Sequence, residues 1–268
     1  MKEIDYFTPE PIVLAHRGDS AHFPENTMPA FLSAVEMKVD VIETDVHLTT
    51  DNQVVIWHDE TLERMSGDPR HISTMTWKEI SNVDAGSLFT DNEGKSFPFK
   101  GKNIKPVLLK DVLSSFPQMK FNVDLKDDNL RLAEEYSRIL LNLNCTKRVV
   151  TASFHRKILK HFRKLVPQSI TSCTSLEVMR LIILYRSGIL TIPFPYKKKI
   201  LQVPEFSGRQ RVLSKGFINY LHKRGFKIQV WTVNDYSEMT RFLDMGVDGI
   251  FTDKPALLMK CLEKRKIP

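Results

Sequence analysis

The sequence predicts an α/β protein, a (β/α)8 TIM barrel forming a single domain over residues 1–268, with a small insertion after the second strand. Three observations predict it. Short apolar runs starting at 12, 41, 120, 149, 170, 200, 227 and 249 alternate with helical patterns along the chain, and eight β/α units in this length argue for a closed parallel barrel. No GxGxxG follows any of these runs, which disfavours an open dinucleotide-binding sheet. The alternation breaks once, from about 60 to 105, where Gly67, Pro69, Gly86, Gly94, Pro98 and Gly101 stand among polar residues. So long an irregular stretch reads as a functional insertion folded back over one face of the domain.

Each unit has its own signal. Ile12 to His16 reads as a buried strand, and Thr27 to Met37 follows with helical spacing at Phe31, Leu32 and Val35, capped by Asn26 or Thr27. Val41 to Val46 is the second strand, with a further extended run from Gln53 to His58. After the insertion come a helix over Leu109 to Phe116, a strand over Phe121 to Leu125, a helix over Asn129 to Leu143 and a strand from Val149. His155 to Leu165 is a helix, Ile170 to Cys173 a strand, Leu176 to Arg186 a helix and Ile200 to Val203 a strand. Leu213 to Arg224, Lys227 to Val233, Glu238 to Met245 and Gly249 to Thr252 continue the alternation, and a last helix runs through Leu257 and Cys261.

Composition narrows the class. Apolar residues make up 42% and charged residues 26%, as in a globular protein able to bury its own core. Cys145, Cys173 and Cys261 lie far apart in no metal-binding or redox spacing, which predicts idle thiols in a reducing compartment. The net charge of +7 favours anionic partners. It is diffuse and has no aromatic platform, so nucleic acid is not expected. Met1 to Asp5 has no apolar leader segment and no run of 18 apolar residues exists, so a cytoplasmic chain with at most peripheral membrane contact is expected.

Catalytic residues of parallel barrels gather at the C-terminal ends of strands, and titratable residues collect there. His16 and Arg17 end the first strand. Glu43 and Asp45, two apart on the second, face the same way, as do Asp124 and Lys126 on the third; His58 ends the following extended run. Taken singly, each has a bland reading as a surface ion pair or a structural histidine. Together they put three carboxylates, two histidines and two cationic side chains at one rim. Hard oxygen donors without thiolates suit one divalent cation, Mg2+ or Ca2+, and such an ion beside arginine and lysine clamps a phosphoryl group.

The ordered set His16-Arg17-Gly18, Pro24-Glu25-Asn26-Thr27, Ile42-Glu43-Thr44-Asp45-Val46, Thr49-x-Asp51 and His58-Asp59 resembles the N-terminal signature of the glycerophosphodiester phosphodiesterase family. Asn122 to Lys126, Val230 to Asn234 and Gly246 to Pro255 resemble its later motifs, so the resemblance spans about 11 to 260. It implies a (β/α)8 barrel with an insertion where 60–105 falls, metal binding by Glu43, Asp45 and Asp124, and acid–base work shared by His16 and His58. Arg17 and Lys126 would bind the phosphate. Asn26 would shape the first loop, touch the substrate or cap the helix, and Trp231, ending the seventh strand, would wall the pocket. Asp124 departs from the glutamate common in the family; the branch that cleaves lysophospholipids also reads Asp-x-Lys here.

The stretch from 176 to 195 is apolar nearly all round its helix and runs into Lys197, Lys198 and Lys199. It predicts an acyl-chain groove or peripheral membrane contact through 176–199, and so a lysophospholipid substrate, with soluble glycerophosphodiesters close behind. The basic run His155-Arg156-Lys157 with Lys160, Arg163 and Lys164 reads as a solvated helix face. Two rivals remain: a toxin-type phospholipase D on the same fold, and a non-catalytic phospholipid-binding or membrane-binding protein.

Overall fold

A computed structural model of the protein describes residues 5–188 and 199–266. Eight parallel strands form the barrel: β1 (Ile12–His16), β2 (Val41–Leu48), β3 (Lys120–Leu125), β4 (Val149–Ala152), β5 (Ile170–Thr171), β6 (Lys199–Val203), β7 (Phe226–Val230) and β8 (Gly249–Thr252). They pair in the order β6-β7-β8-β1-β2-β3-β4-β5. A parallel bridge between Ser172 and Ile200 joins the two ends of that order. Six of the eight expected strand starts hold, and β6 and β7 begin one residue earlier than expected.

A helix follows every strand: α1 (Met28–Glu36), α2 (Leu109–Ser115), α3 (Leu130–Asn142), α4 (Arg156–Leu165), α5 (Ser175–Arg186), α6 (Lys215–His222), α7 (Tyr236–Met245) and α8 (Pro255–Lys266). α6 starts later than expected because Ser214 caps it, accepting a hydrogen bond from Phe217 N–H. That leaves Leu213 in the core ahead of the helix. α5 opens with a capping box, Thr174 and Glu177 each bonding the other's backbone N–H.

Strand alternation sorts side chains between two cores. Val13, Ala15, Ile42, Phe121, Val123, Val149, Leu201 and Ile228 face the helices in one large cluster. Ile12, Leu14, Val41, Val150, Ile170, Ile200 and Phe251 face inward and pack around Tyr6, from the segment before β1. Lys120 Nζ holds that segment by the carbonyls of Tyr6 and Thr8. Tyr6 thereby closes the end of the barrel at which the strands begin, and the interior opens only where they end.

The insertion is more ordered than expected. Val54–Ile56 pairs antiparallel with the end of β2 and with Val107–Leu108. Between them, short elements enclose a second core of Val55, Trp57, Leu62, Met65, Ile72, Met75, Ile80, Ala85, Phe89 and Leu108. Its helices and strands are two to four residues long, too short for periodicity to reveal.

α5 buries Val178 and Leu181 and exposes Leu176, Met179 and Ile183, so it is apolar on both faces as expected. Residues 189–198 of the apolar stretch lie outside the described residues. On α4 most of the basic residues are solvated, but Arg163 is drawn in by Glu177, Thr171 and the Ser172 carbonyl. None of the three cysteines forms a disulfide. No helix among the described residues is long and apolar enough to cross a membrane.

Candidate active site

β1 and β2 set the geometry of the mouth. His16 is in register with Glu43, Glu43 with Asn122, and Asp45 with Asp124. These residues therefore point to the same side of the sheet, into the barrel. Immediately after β1 the chain turns through Arg17 (φ 58°) and Gly18 (φ 85°). A Cβ on Gly18 would stand 2.8 Å from the backbone of Ala30, so only glycine fits. The turn aims the Arg17 N–H at Glu43 Oε2, 3.1 Å away. A left-handed non-glycine residue is strained, and such strain concentrates at functional sites.

Each histidine is oriented by a carboxylate. His16 Nδ1 lies 2.6 Å from Asp253 Oδ1, and Asp253 is itself held by Ser20 and Asn234. His58 Nδ1 lies 2.7 Å from Asp59 Oδ1, and Asp59 is gripped by Arg64. In both imidazoles Nε2 is the nitrogen left for chemistry. His58 reaches the mouth because Val54–Ile56 runs back along β2, and the Trp57 N–H bonds the Asp45 carbonyl.

The carboxylates are buried among cations. Asp45 Oδ1 and Asp124 Oδ2 each lie 2.8 Å from Lys126 Nζ. Arg17 Nε is 3.3 Å from Asp45 Oδ2, close enough for charge attraction though off hydrogen-bond geometry, and its Nη1 bonds Glu25. Burial, and then the Asp45 charge, push the Glu43 carboxyl up to about 7. Burial would raise Asp45 as well, but Lys126 and Arg17 outweigh it and hold Asp45 at about 2. Burial tends to lower His16, yet Glu43 and the Asp253 hydrogen bond raise it above the ordinary value. His58 is lowered, by burial first and then by Arg17 and Lys126, against the pull of Asp45.

Glu43, Asp45 and Asp124 share the mouth, but they do not meet as the sequence led us to expect. Among the described residues no three His, Cys, Asp or Glu side chains stand together as a group able to hold a metal ion. The reason is visible: the Lys126 ammonium stands between Asp45 and Asp124 and supplies the positive charge. Even so, the donor set suits a hard cation. Asp124 Oδ1 is buried with no hydrogen-bond partner among the described residues, and Glu43 carries a proton affinity that a nearby cation would relieve.

A family model described as the Glycerophosphoryl diester phosphodiesterase family matches residues 16–257, from the first of these histidines to beyond the aspartate that orients it. The chain belongs to this glycerophosphoryl diester phosphodiesterase family. A glycerophosphodiester phosphodiesterase of Caldanaerobacter subterraneus is 29% identical over 263 residues, covering 94% of this chain and 98% of that protein. Human lysophospholipase D GDPD1 is 29% identical over 266 residues, covering 91% and 84%. The solved glycerophosphoryl diester phosphodiesterase domain from Mycobacterium tuberculosis superposes with a TM-score of 0.82 at 17% identity, covering 95% and 99%. A phosphodiesterase of Oleispira antarctica, solved with its product sn-glycerol-3-phosphate, gives 0.75 at 22%, covering 97% and 100%. Relatives so named are phosphoric diester hydrolases, the enzyme class of the family.

Within this family barrel, two expected site residues take more specific places. Asn26 is buried and left-handed (φ 59°); its Nδ2 donates to Asp45 Oδ2 and its Oδ1 accepts from Thr44. It caps no helix, and Thr27 instead bonds the Pro24 carbonyl. Asn26 therefore holds a carboxylate in place, and the geometry does not support a helix cap. Trp231 packs against the interior cluster and meets Phe154 edge-on, with ring centroids 6.1 Å apart.

Several site residues carried no assigned role in the sequence. Asp253 sits in a quoted motif, and its place just after β8, like that of His16 at the end of β1, was the available signal. His47, buried, bonds Asp127 through Nδ1 at 2.5 Å and the His58 carbonyl through Nε2 at 3.1 Å, bracing the chain that carries His58. Beside it a cavity of about 480 Å3 runs outward from Lys126, past His47, Asn52, Asp127, Arg131 and His155. Arg64 clamps the insertion to the first loop through Glu25 and Asp59.

Proposed function

We propose that the chain hydrolyses glycerol-based phosphodiesters, lysophospholipids or soluble glycerophosphodiesters, at the mouth built by His16, His58, Glu43, Asp45 and Asp124. One observation carries the reading. Two imidazoles, each tied by Nδ1 to its own carboxylate, stand beside buried carboxylates and the cations Arg17 and Lys126 at the open end of the barrel. His16 and His58 exchange protons with the attacking and leaving oxygens through their Nε2 atoms. Arg17 and Lys126 neutralise the phosphate oxygens as charge shifts between them. One divalent cation, Mg2+ or Ca2+, held by Glu43, Asp45 and Asp124, would add charge at the phosphoryl group. It would compete with Lys126 for the oxygens of Asp45 and Asp124.

Lysophospholipid is the favoured substrate class, because the other side of the mouth is apolar and open. Phe154, straight after β4, is 64% exposed and Phe206, just past β6, is 52% exposed, and Trp231, straight after β7, meets Phe154 edge-on. The contiguous aromatic surface of Phe154 against Trp231, beside a charged site, suits an acyl chain better than solvent. The exposed Leu176, Met179 and Ile183 of α5 offer the described part of the expected membrane-contact stretch. A toxin-type phospholipase D is disfavoured by three cysteines that form no disulfide, and a non-catalytic binder by two oriented histidines.

The test is choline release from glycerophosphocholine and from lysophosphatidylcholine with Mg2+, Ca2+ or EDTA. Activity on at least one substrate, abolished by EDTA and restored by one of the two ions, is expected. Turnover that EDTA leaves untouched would remove the cation, and no turnover of either substrate would remove the hydrolase reading.

A further inference from the structure

The cavity of about 480 Å3 that begins at Lys126 lies on the insertion's side of the mouth, and no residue of β5 to β8 lines it. Three parts of the chain wall it. The turn after β2 contributes Thr50 and Asn52, the insertion contributes Glu60 and Ser73, and the segment from β3 into α3 contributes Asp127 and Arg131. Its volume is that of a small-molecule site.

The charges on this wall are matched one by one, with a single exception. Lys126 meets Asp45 and Asp124, and Arg131 meets Glu134 and Glu135. Asp127 is held by His47 and the Leu48 N–H, and Asp128 by Lys157. Glu60 is exposed and, among the described residues, its carboxylate has no ion-pair or hydrogen-bond partner. No lining lysine or arginine is left over to serve an anion, so the unmatched carboxylate sets the sign of the ligand, which is a cation. The lining also contains no phenylalanine, tyrosine or tryptophan, whose ring faces recognise quaternary ammonium groups. It offers oxygen acceptors instead, from Glu60, Thr50, Ser73 and Asn52. A primary ammonium brings three N–H donors to such a wall, and a quaternary one brings none.

Lys126 belongs both to the mouth and to the cavity. A phosphate held at Lys126 therefore directs one of its two ester arms into the cavity, while the Phe154 and Trp231 surface serves the acyl-bearing arm. We propose that this cavity is a headgroup subsite that takes the leaving alcohol and selects a primary amino alcohol, such as ethanolamine, over its quaternary counterpart, choline. The inference rests on the diester reading above and deepens it. Glu60 is the specificity-determining residue. A wall built to accept N–H hydrogen bonds discriminates against an analogue that has none to give, because its acceptors are left unpaired. Choline diesters are still cleaved, less efficiently than ethanolamine diesters.

The test is calorimetric binding of phosphoethanolamine and of phosphocholine to the wild type and to Glu60→Gln. Both ligands are monoesters and their binding needs no turnover, so the result stands apart from the activity assay: inactivity on every diester would sink the hydrolase reading, whatever the binding ratio. The wild type is expected to prefer phosphoethanolamine by roughly 5- to 10-fold, the value of an exposed ion pair reinforced by hydrogen bonds. Glu60→Gln, of the same shape without the charge, is expected to bring that ratio to about twofold or less. The ratio of kcat/KM on glycerophosphoethanolamine and glycerophosphocholine should move in the same way. Equal affinity for the two monoesters, no heat with either, or a ratio that Glu60→Gln leaves unchanged would overturn the proposal.

Discussion

The barrel mouth divides into two halves of four strands each. β8, β1, β2 and β3 bring Asp253, His16, Glu43, Asp45 and Asp124, with Arg17 and Lys126, into one network of ion pairs. β4 to β7 bring the uncharged Ser172, Gln202, Gln229 and Trp231, with Phe154 against Trp231. On the function proposed above, the difference would separate bond breaking from recognition. Buried charges are tolerable only when each has a partner, so the chemical half forms one interlocked unit that admits little variation. The neutral half meets no such demand, and on that reading its shape would select the substrate. Damage to the two halves should therefore differ in kind.

The largest effect is expected in the charged half. His16→Ala and Glu43→Ala should each lower kcat/KM by roughly 10^3-fold or more on every diester, with an unchanged melting curve. Asp253→Asn keeps the shape but can no longer fix the His16 tautomer. A fall in kcat of about 100-fold with KM nearly constant is expected in steady-state kinetics. Lys126→Met should lower turnover by about 10- to 100-fold while tightening cation binding, because Asp45 and Asp124 lose their competitor for an ion. A titration of activity or calorimetric heat with Mg2+ or Ca2+ would read this, and weaker cation binding would contradict it.

Effects in the neutral half should be smaller and selective. Phe154→Ser should reduce kcat/KM for lysophosphatidylcholine several-fold, about the value of one exposed aromatic contact, and leave glycerophosphocholine within about twofold. The smallest effect lies behind the charged half. Arg64, and Arg17 with it, outweigh burial and hold Glu25 below its ordinary value, and Arg64 and His58 do the same for Asp59. Depressed carboxyls stabilise the fold above the ordinary carboxylate range, and that stabilisation is lost as pH falls through the lowered values. Acid should thus loosen the insertion from the first loop, and Arg64→Ala should move that loosening to higher pH. Hydrogen exchange at Leu62 to Met65 against pH would measure it.

The two halves also differed in how far the sequence revealed them. Charged residues at strand ends break an otherwise apolar pattern, so His16, Glu43, Asp45 and Asp124 stood out, and the eight strand starts fell within a residue of their places. Gln202 and Gln229 did not stand out. A single amide on a strand has no periodicity and no charge, and the partner of Gln202 across the barrel, Asn122, is 80 residues away. The insertion hid its core because Trp57, Leu62, Met65, Ile72 and Ile80 sit on elements too short to repeat. Asn26 looked like a helix cap by its neighbours, yet its left-handed backbone turns it toward Asp45. Lys126 was legible as a phosphate ligand but not as the ion standing between two carboxylates, because strand alternation fixes the side a residue faces and leaves the reach of its side chain open.

The division of the mouth is tested most directly by a two-by-two comparison. Purified His16→Ala and Phe154→Ser variants would each be assayed against lysophosphatidylcholine and glycerophosphocholine under one set of conditions, with choline release as the readout. His16→Ala should lose both substrates in equal proportion, and Phe154→Ser should lose only the lysolipid. A His16→Ala enzyme that turns over either substrate at close to the wild-type rate, or a Phe154→Ser enzyme equally impaired on both, would contradict the account.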